Sequence, residues 1–228
     1  MKAVLISLIV ILAFTTKAQI PNWTKTSING TTYSMYTMLS ESSAIVLDFS
    51  AIWCPPCNAS MQELQTVWEY FGQGTMNVKV FDFLFQDAAG NPTDSADLSN
   101  WNTNLGITFP GFYDCIPEYT NYDTEYAAGA AIPMVLVFIP NVSDPGSSTL
   151  VYNSISGLGN LTGDVSDDVI TALGNNNFWG LGIDEMSETD TKVYKIFDLL
   201  GRETTFQPNT PLIYLYDNGN VKKVFQVK

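Results

Sequence analysis

Histidine is missing altogether from this 228-residue sequence. That absence excludes Ser-His-Asp and Cys-His catalysis, histidine-ligated zinc and haem held by histidine. Any chemistry must rest on cysteine, carboxylate or tyrosine, and neither a metal nor a cofactor is expected. Basic residues are scarce as well: 10 lysines and arginines stand against 23 aspartates and glutamates, a net charge of −13. The imbalance is uneven. Residues 19–188 hold 19 acidic residues but only Lys25 and Lys79, for −17, while residues 189–228 carry +2. A body that acidic repels phosphate, which argues against nucleic acid and anionic membrane surfaces as partners. Long hydrophobic runs are lacking too. The stretch Ala3–Phe14 has 12 residues with only Ser7 polar, short of the ~20 that cross a bilayer, and no later segment is long and apolar enough to span. What is plentiful is core material, with 46% apolar and 13% aromatic residues. That is too much for a disordered chain, and the length suits one domain with additions.

Lys2, the short apolar stretch and the small residues around Lys17 in Thr16-Lys17-Ala18 read as a signal peptide over residues 1–18, with the mature chain starting at Gln19. The alternative is an uncleaved anchor. No cysteine precedes Cys54, so a lipoprotein anchor at the cleavage site is excluded. The chain is therefore expected outside the cytoplasm, where disulfides persist. Three cysteines are present, Cys54, Cys57 and Cys115. The first two form a C-x-x-C pair. Cys115 is left over and reads as a buried small hydrophobe, with a resolving or metal-binding role as the alternative.

Local patterns predict a mixed α/β order. Asn29-Gly30 marks a hairpin turn. The run 44–49 (AIVLDF) is a buried strand, followed at once by WCPPC and a helix over 58–71 that stops at Gly72. A second buried strand covers 78–85, a helix capped by Asp94 or Ser95 covers 95–105, and a short strand covers 108–113. Pro133 leads into a strand over 134–139, which pairs with 150–155 across the 140–148 loop. A last helix runs over 164–173. The first cysteine of the C-x-x-C thus meets the positive end of a helix.

The stretch VLDFSAIWCPPC strongly resembles the active-site segment of thioredoxins, and INGTTYSMYTMLSESSA before it resembles the N-terminal hairpin of extracytoplasmic TlpA/ResA-type thioredoxin-like proteins. The specific features are Trp53 directly before the pair, Pro56 before its second cysteine, and Asp48 six residues before its first. Ile132-Pro133 ahead of MVLVF is a further match. The resemblance covers about residues 23–176 and implies a thioredoxin fold: a central mixed sheet flanked by helices, with an N-terminal hairpin.

It also implies roles. Cys54 is the attacking thiolate, Cys57 the resolving thiol, and the two form the Cys54–Cys57 disulfide. Asp48 is the buried acid that exchanges a proton with Cys57. Trp53 and Pro56 shape the exposed rim. Pro133 is a cis-proline facing the disulfide, and the backbone beside it, at Ile132, pairs with a substrate segment. Lys79 is placed to neutralise Asp48 from the next strand, or to face solvent. A structural staple is the bland alternative, but a ring of about four residues stabilises by only ~2 kcal/mol, less than the ~3 of a 15-residue loop. With no histidine to stabilise the thiolate, the balance leans to reduction or exchange over oxidation. Partners would be thiol- or disulfide-containing proteins, neutral or basic, and an upstream thiol donor. The rival from another class is a non-catalytic surface binding module with a resting disulfide.

The last forty residues differ. K-x-x-D-x-L-G-R-E from Lys195, then Asn209-Thr210-Pro211, then YDNGNVKK from Tyr216 resemble the C-terminal sorting signal of type IX secretion cargo. Strands are predicted at 193–199, 212–216 and 221–227. The resulting layout is 1–18 signal peptide, 19–176 thioredoxin-like domain, 177–189 linker and 190–228 β-rich tail. The tail is either an address read by the secretion machinery or a β-appendage packed on the body.

Overall fold

A computed structural model describes residues 19–129, 132–159, 163–178, 193–205, 207, 210–216 and 221–224. The expected signal peptide, most of the expected linker and the 217–220 turn lie outside the described residues. In chain order the elements are β1 (Thr24–Thr26), β2 (Thr32–Ser34), α1 (Met35–Ser40), β3 (Ala44–Ala51), α2 (Pro55–Tyr70), β4 (Val78–Gln86), α3 (Ser95–Leu105), β5 (Gly111–Phe112), α4 (Ile116–Tyr126), β6 (Met134–Ile139), β7 (Thr149–Asn153), α5 (Val165–Gly174), β8 (Val193–Phe197), β9 (Leu212–Tyr216) and β10 (Val221–Val224).

All eight residues of β3 are buried. Such a strand must be central, and β3 lies between β4, to which it is parallel, and β6, to which it is antiparallel. The five-stranded mixed sheet has the order β5-β4-β3-β6-β7. This is the thioredoxin-like arrangement that the sequence predicted. β1 and β2 form the separate hairpin.

The two faces of the sheet differ in chemistry. One is aromatic. Phe49, Phe81 and Phe83 alternate onto it. Trp23 meets Phe81, Phe83 and Phe112 edge-on, with centroids 5.3, 5.0 and 5.4 Å away. Helix α4 covers the same face through Tyr119 and Tyr122, 6.2 and 5.1 Å from Phe49. Each such pair adds about 0.5–1.5 kcal/mol beyond the area it buries. The opposite face, under α2 and α3, carries Val46, Asp48, Ser50, Val80, Asp82 and Leu84.

Three sequence expectations change. The strand predicted over 108–113 shrinks to Gly111–Phe112, because Pro110 cannot donate to a ladder. A Cβ on Gly111 would come within 2.9 Å of Leu98 Cδ1, so a larger residue there would make the Leu98 side chain of α3 shift. The helix predicted from 58 starts at Pro55, since prolines fit the first helical positions, where no amide donor is needed. Helices α1 and α4 were not predicted. Asp94 caps α3 as expected, accepting from the amides of Ala96 and Asp97 while the Asp97 carboxylate accepts from the Asp94 amide.

In the tail, β8, β9 and β10 form a three-stranded antiparallel sheet. Leu212 and Tyr214 are buried there in a small cluster with Ile196, distinct from the main core. Deleting residues 189–228 is therefore expected to leave the body folded. Thermal melting of the truncated protein should match the full chain to within about 1 kcal/mol, a shift of roughly 2–4 °C. A loss of cooperative melting would show the tail to be part of the body's structure.

Candidate active site

Strand β3 ends at Ala51, and Cys54 becomes the N-cap of α2 after a two-residue step. Pro55 and Pro56, both exposed, fill the first two helical positions. They carry no N–H, so the first amide of the helix available to a ligand belongs to Cys57. It points at Cys54 Sγ, 3.3 Å away. Cys54 and Cys57 are joined by a disulfide, with Cα atoms 5.4 Å apart. Cys57 is fully buried and Cys54 only 2% exposed, whereas Trp53 beside them is 49% exposed. Trp53 Nε1 donates to Gln86 Oε1 at the end of β4 (2.9 Å), which fixes the indole as one wall of the rim.

Ile132 and Pro133 stand opposite. Their peptide bond is cis, and the Ile132 carbonyl oxygen lies 3.8 Å from Cys54 Sγ. A disulfide sulfur has no hydrogen to donate; a Cys54 thiol in the reduced state does. The structure thus brings together Trp53, Cys54, Cys57, Ile132 and Pro133, with Pro56 on the exposed surface of the same helix turn.

Asp48 is buried completely on β3, and neither of its oxygens meets a hydrogen-bond donor among the described residues. Lys79 does not neutralise it. Lys79 pairs in register with Ile45, and its Nζ donates to the carbonyls of Gly74 and Met76. The residue in register with Asp48 is Asp82, which sequence reading did not single out. Lys79 and Asp82 are three residues apart on one strand, so their side chains leave on opposite faces.

Asp82 is buried completely as well. Its Oδ1 accepts from the Ser50 hydroxyl at 2.6 Å, while Oδ2 lacks a completed hydrogen bond. The Trp101 indole of α3 is close enough to favour the Asp82 anion, although its N–H does not reach hydrogen-bond geometry. Burial pushes Asp82 up to about 7, against the opposing effects of Ser50 and Trp101. Asp48 is held well above the usual carboxylate range by burial first and by the neighbouring Asp82 charge second. Adjacent strands lie about 5 Å apart. Two unit charges at that distance repel by about 3 kcal/mol at an effective dielectric of ~20. Double ionisation of the pair is accordingly disfavoured.

Cys115 is buried, unpaired, and donates to the Tyr113 carbonyl (3.3 Å). Burial raises its thiol well above the ordinary range, which leaves it protonated and inert.

Fold and site together define a thioredoxin-like protein with a Cys54–Cys57 disulfide at the N-terminus of a helix. A profile of the AhpC/TSA family matches residues 16–145, more than half of the chain, and the chain belongs to that family. It is similar in structure to a thiol:disulfide interchange protein from Bacteroides sp. (12% identity, TM-score 0.50, covering 75% of this chain and 93% of that one). It is also similar to a putative protein disulfide isomerase from Bacteroides thetaiotaomicron (13% identity, TM-score 0.50, covering 70% and 86%). A thiol:disulfide interchange protein from Chlorobium tepidum is 19% identical, with a TM-score of 0.46, covering 69% of this chain and 97% of that one. At these identities the two Bacteroides structures speak for the fold alone. No curated protein sequence matches the chain significantly.

Raised carboxyl pKa values have a defined effect on stability. Between the unfolded value near 4 and the folded value of about 7 for Asp82, the native state binds more protons than the unfolded state. The stability contributed by protonated Asp82 is full below about pH 4 and is lost as pH rises through 7. Each pH unit in that window removes up to about 1.4 kcal/mol per group. Denaturant unfolding of the oxidised protein should show this decline, and Asp82→Asn should flatten it. Equal slopes for the two proteins would mean that the surface acids alone set the pH dependence.

Proposed function

We propose that the protein is an extracytoplasmic thiol–disulfide oxidoreductase that reduces or exchanges protein disulfides through Cys54 and Cys57. The observation that carries this reading is the placement of Cys54: an N-cap sulfur that receives the Cys57 amide and lies beside the Ile132 carbonyl. A substrate cysteine approaching Cys54 would find backbone at Ile132 to pair with, and Trp53 and Pro133 as walls. Asp48, buried beneath the site, is the group that exchanges a proton with Cys57.

The direction follows from what stabilises the Cys54 thiolate. No histidine is available, and prolines at the first two helical positions remove two amide donors, leaving the Cys57 N–H. A weakly stabilised thiolate makes a weaker oxidant, which favours the reductive direction. Export rests on the leader-like residues 1–18. The tail, resembling a type IX sorting signal, would address the protein to the outer-membrane machinery and so to the cell surface or medium.

One observation favours the rival reading, a binding module with a resting disulfide: Cys54 is only 2% exposed. Trapping separates the two. With Cys57→Ser, Cys54 attacks a disulfide substrate but cannot be released, so mixed disulfides accumulate on non-reducing gels. Cys54→Ser should trap nothing. Equal trapping by the two variants would reverse or remove the role assignment, and trapping by neither would leave the binding module.

Charge gives a second test. A body at −17 steers basic partners through the association rate more than through contact energy. Exposed charges are screened beyond about 8 Å at 0.15 M salt. Reduction of a basic protein substrate should slow several-fold as salt rises, with the loss confined to kcat/KM. A flat dependence would assign the acidity to solubility.

A further inference from the structure

The proton role given to Asp48 leaves Asp82 unexplained. The two carboxylates share one face of the sheet, in register on adjacent parallel strands, and both are completely buried. Their sheet neighbours offer no countercharge: Val135 of β6 lies beside Asp48, and Gly111 of β5 beside Asp82. Val46 and Val80 lie one step down the same face, Ser50 and Leu84 one step up. Of the four carboxylate oxygens, only Asp82 Oδ1 receives a completed hydrogen bond among the described residues, from Ser50. Two like charges cannot both persist there, so the pair holds one proton in common. The Ser50 hydroxyl makes Asp82 the member that carries the charge and Asp48 the member that keeps the proton.

The other ionisable groups around the pair are few. Helix α2 brings Cys57 on its buried side. The start of α4 brings Cys115, which feels Asp82 and has Lys25 and Glu118 near it. Helix α3 contributes Trp101, which does not titrate. Helix α5 contributes Asp168, whose charge acts on Tyr152 of β7. The tyrosines of α4 lie over Phe49, on the opposite face.

We propose that Asp82 is a positioning residue for proton transfer at the disulfide: with Ser50 it accepts the proton that Asp48 gives up as Asp48 takes the one from Cys57, so the two carboxyls act as a one-proton pair. This rests on the thiol–disulfide reading of Cys54 and Cys57. In the step concerned, the Cys54 thiolate attacks a substrate disulfide, forming a mixed disulfide and expelling one substrate thiolate. Cys57 passes its proton to the pair, attacks Cys54 Sγ and expels the second substrate thiolate. The two thiolates leave as thiols on protonation, one proton coming from the pair through solvent and one being that lost from Cys54. A dithiol and a disulfide thus become a disulfide and two thiols. Burial that places Asp82 near neutrality suits a base working at neutral pH.

The test mixes reduced full-length protein rapidly with excess glutathione disulfide. The step that depends on glutathione disulfide concentration reports attack by Cys54, and the concentration-independent step reports resolution by Cys57. In the wild type, resolution rises with pH through a midpoint near 7. In Asp82→Asn the remaining carboxyl, Asp48, has no hydroxyl donor. With the basic site moved from Asp82 to Asp48, the midpoint of the resolution step moves up by about one unit and resolution at neutral pH slows about tenfold, while attack is unchanged. Ser50→Ala shifts the midpoint the same way by less, and Asp82→Glu recovers part of the rate. If Asp48 acts alone, removing the Asp82 charge lets it ionise more easily, so the midpoint falls or stays put; that result overturns the pair and leaves the redox function standing. Equal slowing of attack and resolution would make Asp82 structural and also overturns the proposal. A wild type that never reacts removes the redox reading, and the pair's role with it. Should Asp82→Asn fail to fold, infrared titration of the oxidised wild type decides. A protonated-carboxyl band retained through neutral pH supports the shared proton, and its absence refutes it.

Discussion

The complete burial of β3 is the constraint on which the rest of the molecule depends. A strand with eight successive buried residues has no solvent face, so it must be covered by helices on both sides and by strands on both edges. That requirement puts β4 and β6 beside it and fixes the register that aligns Asp48 with Asp82. It also decides where the chemistry can be. The carboxyl end of β3 is where the chain first leaves the core, and it does so straight into the N-terminus of α2. Cys54 therefore lies at the boundary between a rigid strand and a helix end. Shifting β3 by one residue would turn Asp48 toward Tyr119 and Tyr122 and put Phe49 under the disulfide.

The two faces divide the energetic load. On the α4 face, Trp23, Tyr33, Phe49, Phe81, Phe83, Phe112 and Tyr122 interlock with ring centroids mostly 5.0–5.7 Å apart. On the α2 and α3 face, two carboxyl groups are buried, and among the described residues a single completed hydrogen bond reaches them, from Ser50 to Asp82. Isolated buried polar groups each cost about 1–3 kcal/mol. Aliphatic residues at 48 and 82 would fill the same positions without that cost, so packing does not explain the acids. A protein whose opposite face is so densely aromatic can tolerate them, and the face that carries them is the one that α2, the helix of Cys57, helps to cover.

Legibility in the sequence tracked how local each signal is. WCPPC after a run of buried strand formers, Asp48 six residues earlier, and Pro133 ahead of an apolar strand are all contiguous patterns, and they named residues that the structure brings together around the Cys54–Cys57 disulfide. Asp82 was invisible because its significance is non-local. In VKVFDFLF it reads as one polar break in a strand, and only the parallel register, starting at Ala44 opposite Val78, sets it beside Asp48. The same register removed Lys79 from the site, since three residues along a strand change the face. Helix α4 was missed for a different reason. IPEYTNYDTEY has a single aliphatic residue, and its buried stripe is made of tyrosines at 119, 122 and 126, which count as strand formers when read locally. Tertiary contacts with Phe49, Phe85 and Phe138 give that segment its helical face.

The absence of histidine acquires its meaning at this point. Histidine is the side chain whose unperturbed pKa lies near neutrality. A chain without it can move protons near pH 7 only through a group displaced from its ordinary range. Surface carboxylates, however numerous, remain ionised there and cannot serve. Depressing a thiol needs donors or cations, and around Cys54 the two prolines leave one amide. Raising a carboxyl needs only burial and a like charge, which a central strand pair supplies without any loop or cofactor. Asp48 and Asp82 satisfy that condition on adjacent strands of the most buried part of the molecule, and Ser50 breaks the symmetry between them. The acid pair is thus the proposed route to neutral-range proton chemistry in a chain of this composition, and it lies on the sheet face under α2 and α3.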